Sequence, residues 1–169
     1  MNHEYFMGLA LAEAGKALAA GEFPVGCVLV ANDEVVGVGR RENSKTDTAN
    51  ELDHAEIVAL RTLLSSRPEL ERREIVVYST MEPCLMCYAT LLLNGIRTIV
   101  YAYEDAMGGG TCLPLDSLTP LYREMADEIE IIARVRRQES LALFVDFFKN
   151  PANDYWRDSL LAEYTLGQS

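Results

Sequence analysis

Two short stretches, "DHAE" at residues 53–56 and "MEPCLMC" at residues 81–87, contain residue types that bind metals and move protons. Cys84 and Cys87 are three positions apart, so on a helix their sulfurs would lie on one side. Zinc binds thiolate sulfur and imidazole nitrogen, and a catalytic zinc keeps three protein ligands and one open position. His54, Cys84 and Cys87 are therefore a candidate zinc site.

Glu56 follows His54 by two residues, which places a carboxyl group beside the predicted zinc. A carboxylate there can take a proton from a zinc-activated water and later give it to a leaving amine. This combination suits the hydrolytic removal of an amine from an aromatic ring. We therefore predict that Glu56 is the catalytic acid and base.

The cysteine pair by itself has other interpretations. A CxxC pair can also be a redox couple, a structural zinc site or a disulfide, although disulfides are rare in cytoplasmic proteins. A thioredoxin-like pair would follow the first strand, whereas this pair follows the third predicted strand. Cys27 and Cys112 lack the spacing of further zinc ligands. A non-catalytic interaction module with structural zinc remains an alternative.

The elements that must position these residues follow from hydrophobic periodicity and from turn residues. Strands are predicted over 23–30, 35–40, 74–80, 97–103 and 128–133, with a hairpin between the first two. Helices are predicted over 1–20, 54–66, 84–95, 117–126 and 138–149, followed by a helical tail. We expect Asp53 to cap the second helix, Glu42–Leu52 to be a loop, and Asp105–Thr111 to be a flexible glycine-rich loop. Alternating strands and helices indicate an α/β fold.

The length of 169 residues predicts one domain over 1–169, in which 151–169 form a tail that covers the active site. The net charge of −11 argues against a long nucleic-acid ligand, because proteins that grip phosphates usually present a basic surface. The N-terminal stretch resembles an amphipathic helix more than a signal peptide, and no apolar run is long enough to cross a membrane. We therefore expect a cytoplasmic protein.

The motifs "DHAEIVAL" and "YSTMEPCLMC", with "EFPVGCVLV" and "GIRTIVYAYED", resemble the cytidine deaminase-like superfamily of zinc deaminases. The resemblance covers most of the chain. It implies a three-layer α/β/α sandwich around a five-stranded mixed sheet, with Zn²⁺ held by His54, Cys84 and Cys87 and protons moved by Glu56. It also implies a homodimer, for which the apolar helix "LMCYATLLL" is a candidate interface.

Within the superfamily, the chain is most similar to the branch of tRNA adenosine deaminases, guanine deaminases and fungal-type cytosine deaminases. That resemblance implies substrate-binding positions at Asn43, Ala55, Glu82, Trp156 and Asp158, with Tyr155 as an alternative wall residue of the pocket. The stretch "DTANELDHAE" is longer than the "DPTAHAE"-like stretch of bacterial tRNA deaminases. The acidic, aromatic tail instead resembles the end of fungal-type cytosine deaminases.

These features together predict a zinc-dependent hydrolase that deaminates a small free nucleobase or a related aminoheterocycle. Cytosine is the first expected substrate and guanine the second, with water as the co-substrate. A tRNA-specific adenosine deaminase is the alternative.

Overall fold

The computed structural model describes residues 1–45, 47 and 49–168, which form a sheet between layers of helices. The strands are β1 (Gly26–Ala31), β2 (Glu34–Arg40), β3 (Val76–Met81), β4 (Thr98–Tyr103) and β5 (Glu130–Ile132). The α-helices are α1 (His3–Ala19), α2 (Ala55–Ser66), α3 (Leu85–Leu93), α4 (Pro120–Arg123), α5 (Arg137–Lys149) and α6 (Leu160–Leu166). Thr46 and Thr48 of the predicted loop, and Ser169 at the end of the tail, lie outside the described residues.

The five strands lie in the order β2-β1-β3-β4-β5. β1 is antiparallel to both of its neighbours, whereas β3, β4 and β5 are parallel, so the sheet is mixed as predicted. Asn32 (φ 52°) and Asp33 (φ 60°) connect β1 to β2. Positive φ at both central residues is the geometry of the type I′ turn, whose twist matches that of a two-stranded hairpin.

The sheet is buried on both faces, as its inner strand β1 shows. Cys27 and Leu29 point into a core that also contains buried side chains from α2 and α3. Val28 and Val30 point to the opposite face, where they share a second core with side chains of α1. A strand buried on both faces is consistently apolar rather than alternating, as in "GCVLVA". The predicted three-layer α/β/α sandwich is confirmed.

Two predicted helix starts differ from the structure by one residue. Asp53 was expected to cap α2, but His54 is the N-cap residue, with φ −66° and ψ 150°. The Asp53 carboxylate instead accepts hydrogen bonds from the side-chain amides of Asn43 (2.7 Å) and Asn50 (2.9 Å). Cys84 is likewise the N-cap residue of α3 rather than part of its first turn. Each helix therefore begins directly at a predicted zinc ligand.

The remaining boundaries lie within three residues of the predictions except around residues 115–132. The helix predicted over 117–126 is a single turn, α4, between two short 3₁₀ segments at Leu115–Ser117 and Ala126–Glu128. The last strand is also shorter than predicted, because only Glu130–Ile132 pair with β4. Pro120 takes the first position of α4, where its missing N–H costs nothing.

Parallel pairing brings the carboxyl ends of β3 and β4 to one edge of the sheet, where Met81 is paired with Tyr103. Glu82 and Cys84 follow β3 at this edge, and Asp105 follows β4. Open α/β sheets generally bind their ligands at the carboxyl ends of the strands. The same edge therefore contains the candidate zinc ligands.

Gly39 of β2 allows the start of α2 to lie directly on the sheet. A Cβ atom at Gly39 would be 2.2 Å from the backbone oxygen of Ala55 and 2.5 Å from the nitrogen of Ala59. No side chain fits this gap, so glycine permits the close approach. The position of His54 and Glu56 over the sheet edge depends on it.

None of the helices in the described part of the chain is long and apolar enough to cross a membrane. The expected cytoplasmic location stays a prediction.

Candidate active site

The side chains of His54, Cys84 and Cys87 meet where α2 and α3 begin. The Nδ1 atom of His54 is 3.6 Å from the Cys84 sulfur and 3.5 Å from the Cys87 sulfur. The three potential ligand atoms all lie within 4.8 Å of one another. One imidazole nitrogen and two sulfurs at this separation fit the ligand set of a catalytic zinc, with a fourth position left for water.

The electrostatics of the three groups also suit a metal. The hydrogen bond from Cys87, supported by His54, lowers the pKa of Cys84 to about 4 despite burial. Burial alone would lower the pKa of His54, but its bond to Cys84 and the charge of Glu56 raise it to about 9. The bond to Cys84 and burial raise the pKa of Cys87. Metal binding therefore has to release protons from this cluster.

Glu56 lies in the first turn of α2 with its side chain buried beside the cluster. The Ser79 hydroxyl donates a hydrogen bond of 3.1 Å to its Oε1 atom. Burial raises the pKa of Glu56, and the negative charge of Cys84 adds to this although His54 opposes it. A carboxyl group with a raised pKa can both accept and return a proton near neutral pH.

A pocket opens over this cluster and is mostly apolar, with a few polar groups. Of the predicted substrate-binding residues, Ala55, Glu82 and Trp156 line it. The pocket is lined by Phe23, Val25, Arg41, His54, Ala55, Glu56, Met81, Glu82, Cys84, Asp105, Met107, Tyr155, Trp156 and Leu161. An apolar cavity with a small number of convergent polar groups is the usual form of a small-ligand site.

The structure places the other two predicted substrate contacts away from this pocket lining. Asn43 adopts a left-handed backbone (φ 55°), and its amide nitrogen donates to Asp53. Asp158 is exposed in the segment between α5 and α6. Neither residue lines the pocket, so their roles as substrate contacts remain predictions without geometric support.

Glu82 lines the pocket, but its carboxylate is bonded to the glycine-rich loop. Its Oε2 atom accepts from the backbone N–H of Asp105 (3.2 Å), and its Oε1 accepts from the N–H and hydroxyl of Thr111. Gly109 lies so close that a Cβ atom there would be 2.6 Å from this carboxylate. Glu82 thus connects two points of the glycine-rich loop, whose flexibility stays a prediction.

Residues 1–103 match the family described as the cytidine and deoxycytidylate deaminase zinc-binding region. The chain belongs to this deaminase family. The enzyme is a zinc-dependent hydrolytic deaminase, and the family match together with the ligand cluster confirms the predicted zinc cofactor.

Relatives of this deaminase carry names that specify a substrate. The tRNA-specific adenosine deaminase 2 of Danio rerio is 35% identical over 150 residues, which cover 85% of this chain and 69% of the relative. The tRNA-specific adenosine deaminase of Aquifex aeolicus is 29% identical over 159 residues, covering 91% of this chain and 99% of the relative.

Solved structures of other deaminases are also similar to this deaminase. A structure described in a study of tRNA:A34 deaminases has a TM-score of 0.66 and 25% identity, covering 82% of this chain and 98% of that one. Guanine deaminase from Bacillus subtilis has a TM-score of 0.54 and 28% identity, covering 62% and 66% of the two chains. These matches confirm a cytidine deaminase-like fold.

The predicted substrate was wrong. The relatives contradict the expectation of a small free nucleobase, cytosine or guanine, and favour the alternative of tRNA-specific adenosine deamination. The zinc motif could not distinguish the two, because it serves the shared chemistry of the superfamily. The prediction therefore depended on the likeness of the tail, and the aromatic side chains found there can close a pocket over many ring systems.

The deaminase pocket also contains Arg41, which the sequence analysis did not identify. Arg41 is 2% exposed and donates to the backbone oxygens of Glu42 (2.6 Å) and Asn50 (2.7 Å). Its guanidinium lies 5.4 Å from the centre of the Tyr155 ring. An arginine after an exposed strand end gives no sign of burial, because its burial depends on the folding of the loop up to Asn50 and on Tyr155 of the distant tail.

Proposed function

We propose that this deaminase converts an adenosine of transfer RNA to inosine, with the wobble position of the anticodon as its target. The observation on which the proposal rests is the 35% identity, over 85% of the chain, to a protein named tRNA-specific adenosine deaminase 2. The study of tRNA:A34 deaminases to which a structural relative belongs supports the choice of the wobble position. Base conversion in RNA also requires a pocket that accepts a single flipped-out base.

His54, Cys84 and Cys87 would hold zinc, which lowers the pKa of water and so supplies a nucleophile near neutral pH. Glu56 accepts the proton of that water at its carboxylate, while Ser79 fixes the carboxylate orientation through Oε1. The oxygen adds to the ring carbon that bears the amine. Glu56 passes this proton to the ring nitrogen and then carries the proton of the added hydroxyl to the amine. The carbon–nitrogen bond breaks as ammonia leaves, so water and adenosine yield inosine and ammonia.

Arg41 is a candidate contact for the bound base. Among the described residues, its Nε atom is a buried side-chain nitrogen without a hydrogen-bond partner, and Arg41 lines the pocket. An unpaired buried donor costs free energy until a ligand acceptor pairs with it. We therefore propose that Arg41 Nε donates to the substrate, while Ala55 and Trp156 bound the ring and Glu82 acts through the loop that it anchors.

The net charge of −11 does not contradict a tRNA substrate, because binding one anticodon loop needs only a local positive surface. Arginines of two clusters in the sequence, at 71–75 and 133–138, take part in ion pairs, as does Arg97. Arg73 and Arg97 pair with Glu128, Arg136 pairs with Glu139, and Arg137 pairs with Glu104. We infer weak overall attraction to nucleic acid and specificity that depends on the pocket.

The test is an assay of inosine formation on a transfer RNA anticodon stem-loop with adenosine at the wobble position. Zinc-loaded wild-type protein is compared with zinc-loaded Glu56→Ala on this RNA, on the same RNA with guanosine at that position, and on free adenine, guanine and cytosine. We expect inosine only from wild-type protein on the adenosine stem-loop. Ammonia release from free bases without any inosine in RNA would refute the proposal.

We also propose that the chain forms a homodimer through α3. Leu85 and Leu93, at the two ends of this helix, are each 54% exposed, so both are accessible to a second copy of the chain. Light scattering coupled to size exclusion should give twice the monomer mass, and Leu85→Glu/Leu93→Glu should give the monomer. A wild-type monomer at micromolar concentration would contradict this.

A further inference from the structure

We propose that Glu51 orients the zinc ligand His54 through a hydrogen bond, and that Tyr155 of the C-terminal tail holds Glu51 in place. This inference depends on the zinc site alone and is independent of which substrate the enzyme deaminates. It assigns a positioning role to two residues that lie 104 positions apart in the chain.

The His54 ring has contacts at both of its nitrogen atoms, and these define its orientation. Its Nδ1 atom faces the sulfurs of Cys84 and Cys87 at 3.6 and 3.5 Å, whereas Nε2 faces the Glu51 Oε2 atom at 3.1 Å. A neutral imidazole that gives Nδ1 to a metal must carry its proton on Nε2. That N–H therefore donates to Glu51, which fixes both the tautomer and the ring plane.

The Glu51 carboxylate needs a partner of its own, because its side chain is 59% exposed. The Tyr155 hydroxyl donates to Glu51 Oε2 at 2.9 Å, and the buried Arg41 reaches the same oxygen at 3.5 Å. One carboxylate oxygen is thus surrounded by three donors.

The ring of Tyr155 is fixed independently of this bond. It packs edge-on against Phe23, with ring centres 5.1 Å apart, and its other neighbours are Arg41 and Trp156. Tyr155 and Trp156 both line the pocket. The tail, which lines the pocket, is therefore connected through Tyr155 and Glu51 to the candidate zinc ligand His54.

The two carboxyl groups near His54 have separate tasks in this arrangement. Glu56 is buried, bonded to Ser79 and placed to exchange protons inside the pocket. Glu51 lies on the outer side of the His54 ring and faces the nitrogen that does not bind the metal. Removal of Glu51 should therefore change metal binding, whereas removal of the Glu56 carboxyl group should mainly change turnover.

The test measures zinc affinity of the full chain by competition with a chromophoric chelator at fixed pH. Loss of an outer hydrogen-bond partner of a metal-binding histidine typically weakens metal affinity about 10–100-fold, which is the loss we expect for Glu51→Ala. Glu51→Gln keeps an oxygen that can accept from Nε2 and should fall between Glu51→Ala and wild type. Tyr155→Phe keeps the ring packing but loses the hydroxyl, and should weaken affinity less than Glu51→Ala.

Glu42→Gln is the matched control, because it makes the same charge change at an exposed position of the same loop. The cobalt-substituted proteins provide a second measurement, since visible absorption reports the geometry of the metal site. We expect altered spectra for Glu51→Ala and an unchanged spectrum for Glu42→Gln.

Equal zinc affinities and cobalt spectra for Glu51→Ala and wild type would overturn the proposal. So would a loss in Glu42→Gln as large as that in Glu51→Ala, because the effect would then reflect net charge alone. A wild-type affinity for Tyr155→Phe would refute the role of the tail. Failure to form inosine in tRNA would overturn the proposed substrate but would leave these metal measurements unaffected.

Discussion

At the residue scale, the chemistry depends on a few side chains whose neighbours change their ordinary behaviour. Cys84 is a strong metal ligand because Cys87 and His54 lower its pKa to about 4, so its thiolate exists well below neutral pH. Glu56 has the opposite shift, because burial raises its pKa. The surroundings of Cys84 and Glu56 thus shift their pKa values in opposite directions, which suits the first to bind metal and the second to carry a proton.

Cys87→Ala should lose bound zinc, because only two of the three ligand atoms would remain. Cys112→Ala is the control, since this cysteine is exposed and outside the cluster. Metal analysis of the purified proteins should find zinc in wild type and Cys112→Ala and little in Cys87→Ala. Full zinc occupancy in Cys87→Ala would exclude this residue as a ligand.

Glu56→Gln should keep zinc but reduce kcat by a factor of about 10²–10⁴, because the amide cannot carry the proton. The variant preserves the size of the side chain and can still accept the bond from Ser79. Steady-state kinetics and metal content should be measured on the same preparation. Near-normal kcat in a zinc-loaded variant would contradict the assigned role.

At the element scale, the site exists because two helices start at the edge where β3 and β4 end. Gly39 sets how closely α2 approaches the sheet, and the N-cap positions of His54 and Cys84 bring the ligand atoms together. A second junction, around Glu104, joins β4 to α5 and α6. A single substitution at either junction should have a measurable effect on stability.

Gly39→Ala should reduce both stability and zinc affinity, because its Cβ atom would lie 2.2 Å from the backbone oxygen of Ala55. Overpacking of this kind typically costs about 1–3 kcal/mol. Gly15→Ala is the matched control, since no atom lies within 4 Å of the added Cβ and alanine favours the helix. Denaturant unfolding should show a lower midpoint for Gly39→Ala alone, and equal midpoints for the two variants would contradict the prediction.

Glu104→Gln should lower the free energy of unfolding at pH 7 by about 1–3 kcal/mol, allowing for solvent screening. Arg137 donates to the Glu104 carboxylate at 2.8 Å and Tyr164 donates at 2.8 Å. The bond from Arg137, with that from Tyr164, lowers the pKa of Glu104 to about 2. Because the folded pKa is depressed, this stabilisation is present above about pH 4.5 and is lost as the pH falls towards 2.

Unfolding curves of Glu104→Gln and wild type should therefore converge between pH 4.5 and pH 2. A constant difference across that range would show that Glu104 does not stabilise the fold through its charge. Exposed Glu69, which pairs with Arg67, offers a control at which the same substitution should have little effect.

At the scale of the whole molecule, the acidic charge and the zinc site have different consequences. Several arginines are paired with acidic residues on the negatively charged surface. The net charge therefore affects solubility more than it indicates the substrate. Zinc, in contrast, would connect the starts of α2 and α3 and so stabilise the folded state of the entire chain.

Removal of zinc by a chelator should lower the melting temperature, and its return should restore it. A ligand at about 1,000 times its Kd adds about 4 kcal/mol to the stability of the state that binds it. Cys87→Ala should melt at the same temperature with and without zinc. A wild-type melting temperature that does not respond to zinc would contradict a site that forms only in the folded protein.

Local sequence signals were enough to predict the candidate zinc ligands, the hairpin and the order of strands and helices. These features depend on local signals: the spacing of Cys84 and Cys87, the Asn32–Asp33 turn and the period of apolar residues. The resemblance to the cytidine deaminase-like superfamily then predicted the fold, because the chain contains several motifs of that superfamily together. The substrate was predicted incorrectly because the motif residues bind the metal and not the part of the substrate that differs between branches.

The surroundings of the candidate metal ligands became known only from the tertiary structure. It brought Tyr155 to Glu51 and Arg41, it turned Asn43 towards Asp53, and it used the Glu82 carboxylate to anchor a loop. Some of these contacts join segments that are distant in the chain, and others depend on the rotation of one side chain. Contacts of both kinds leave no periodic pattern in the sequence. Burial and hydrogen bonding, which set the pKa of each group, exist only after the segments have packed together.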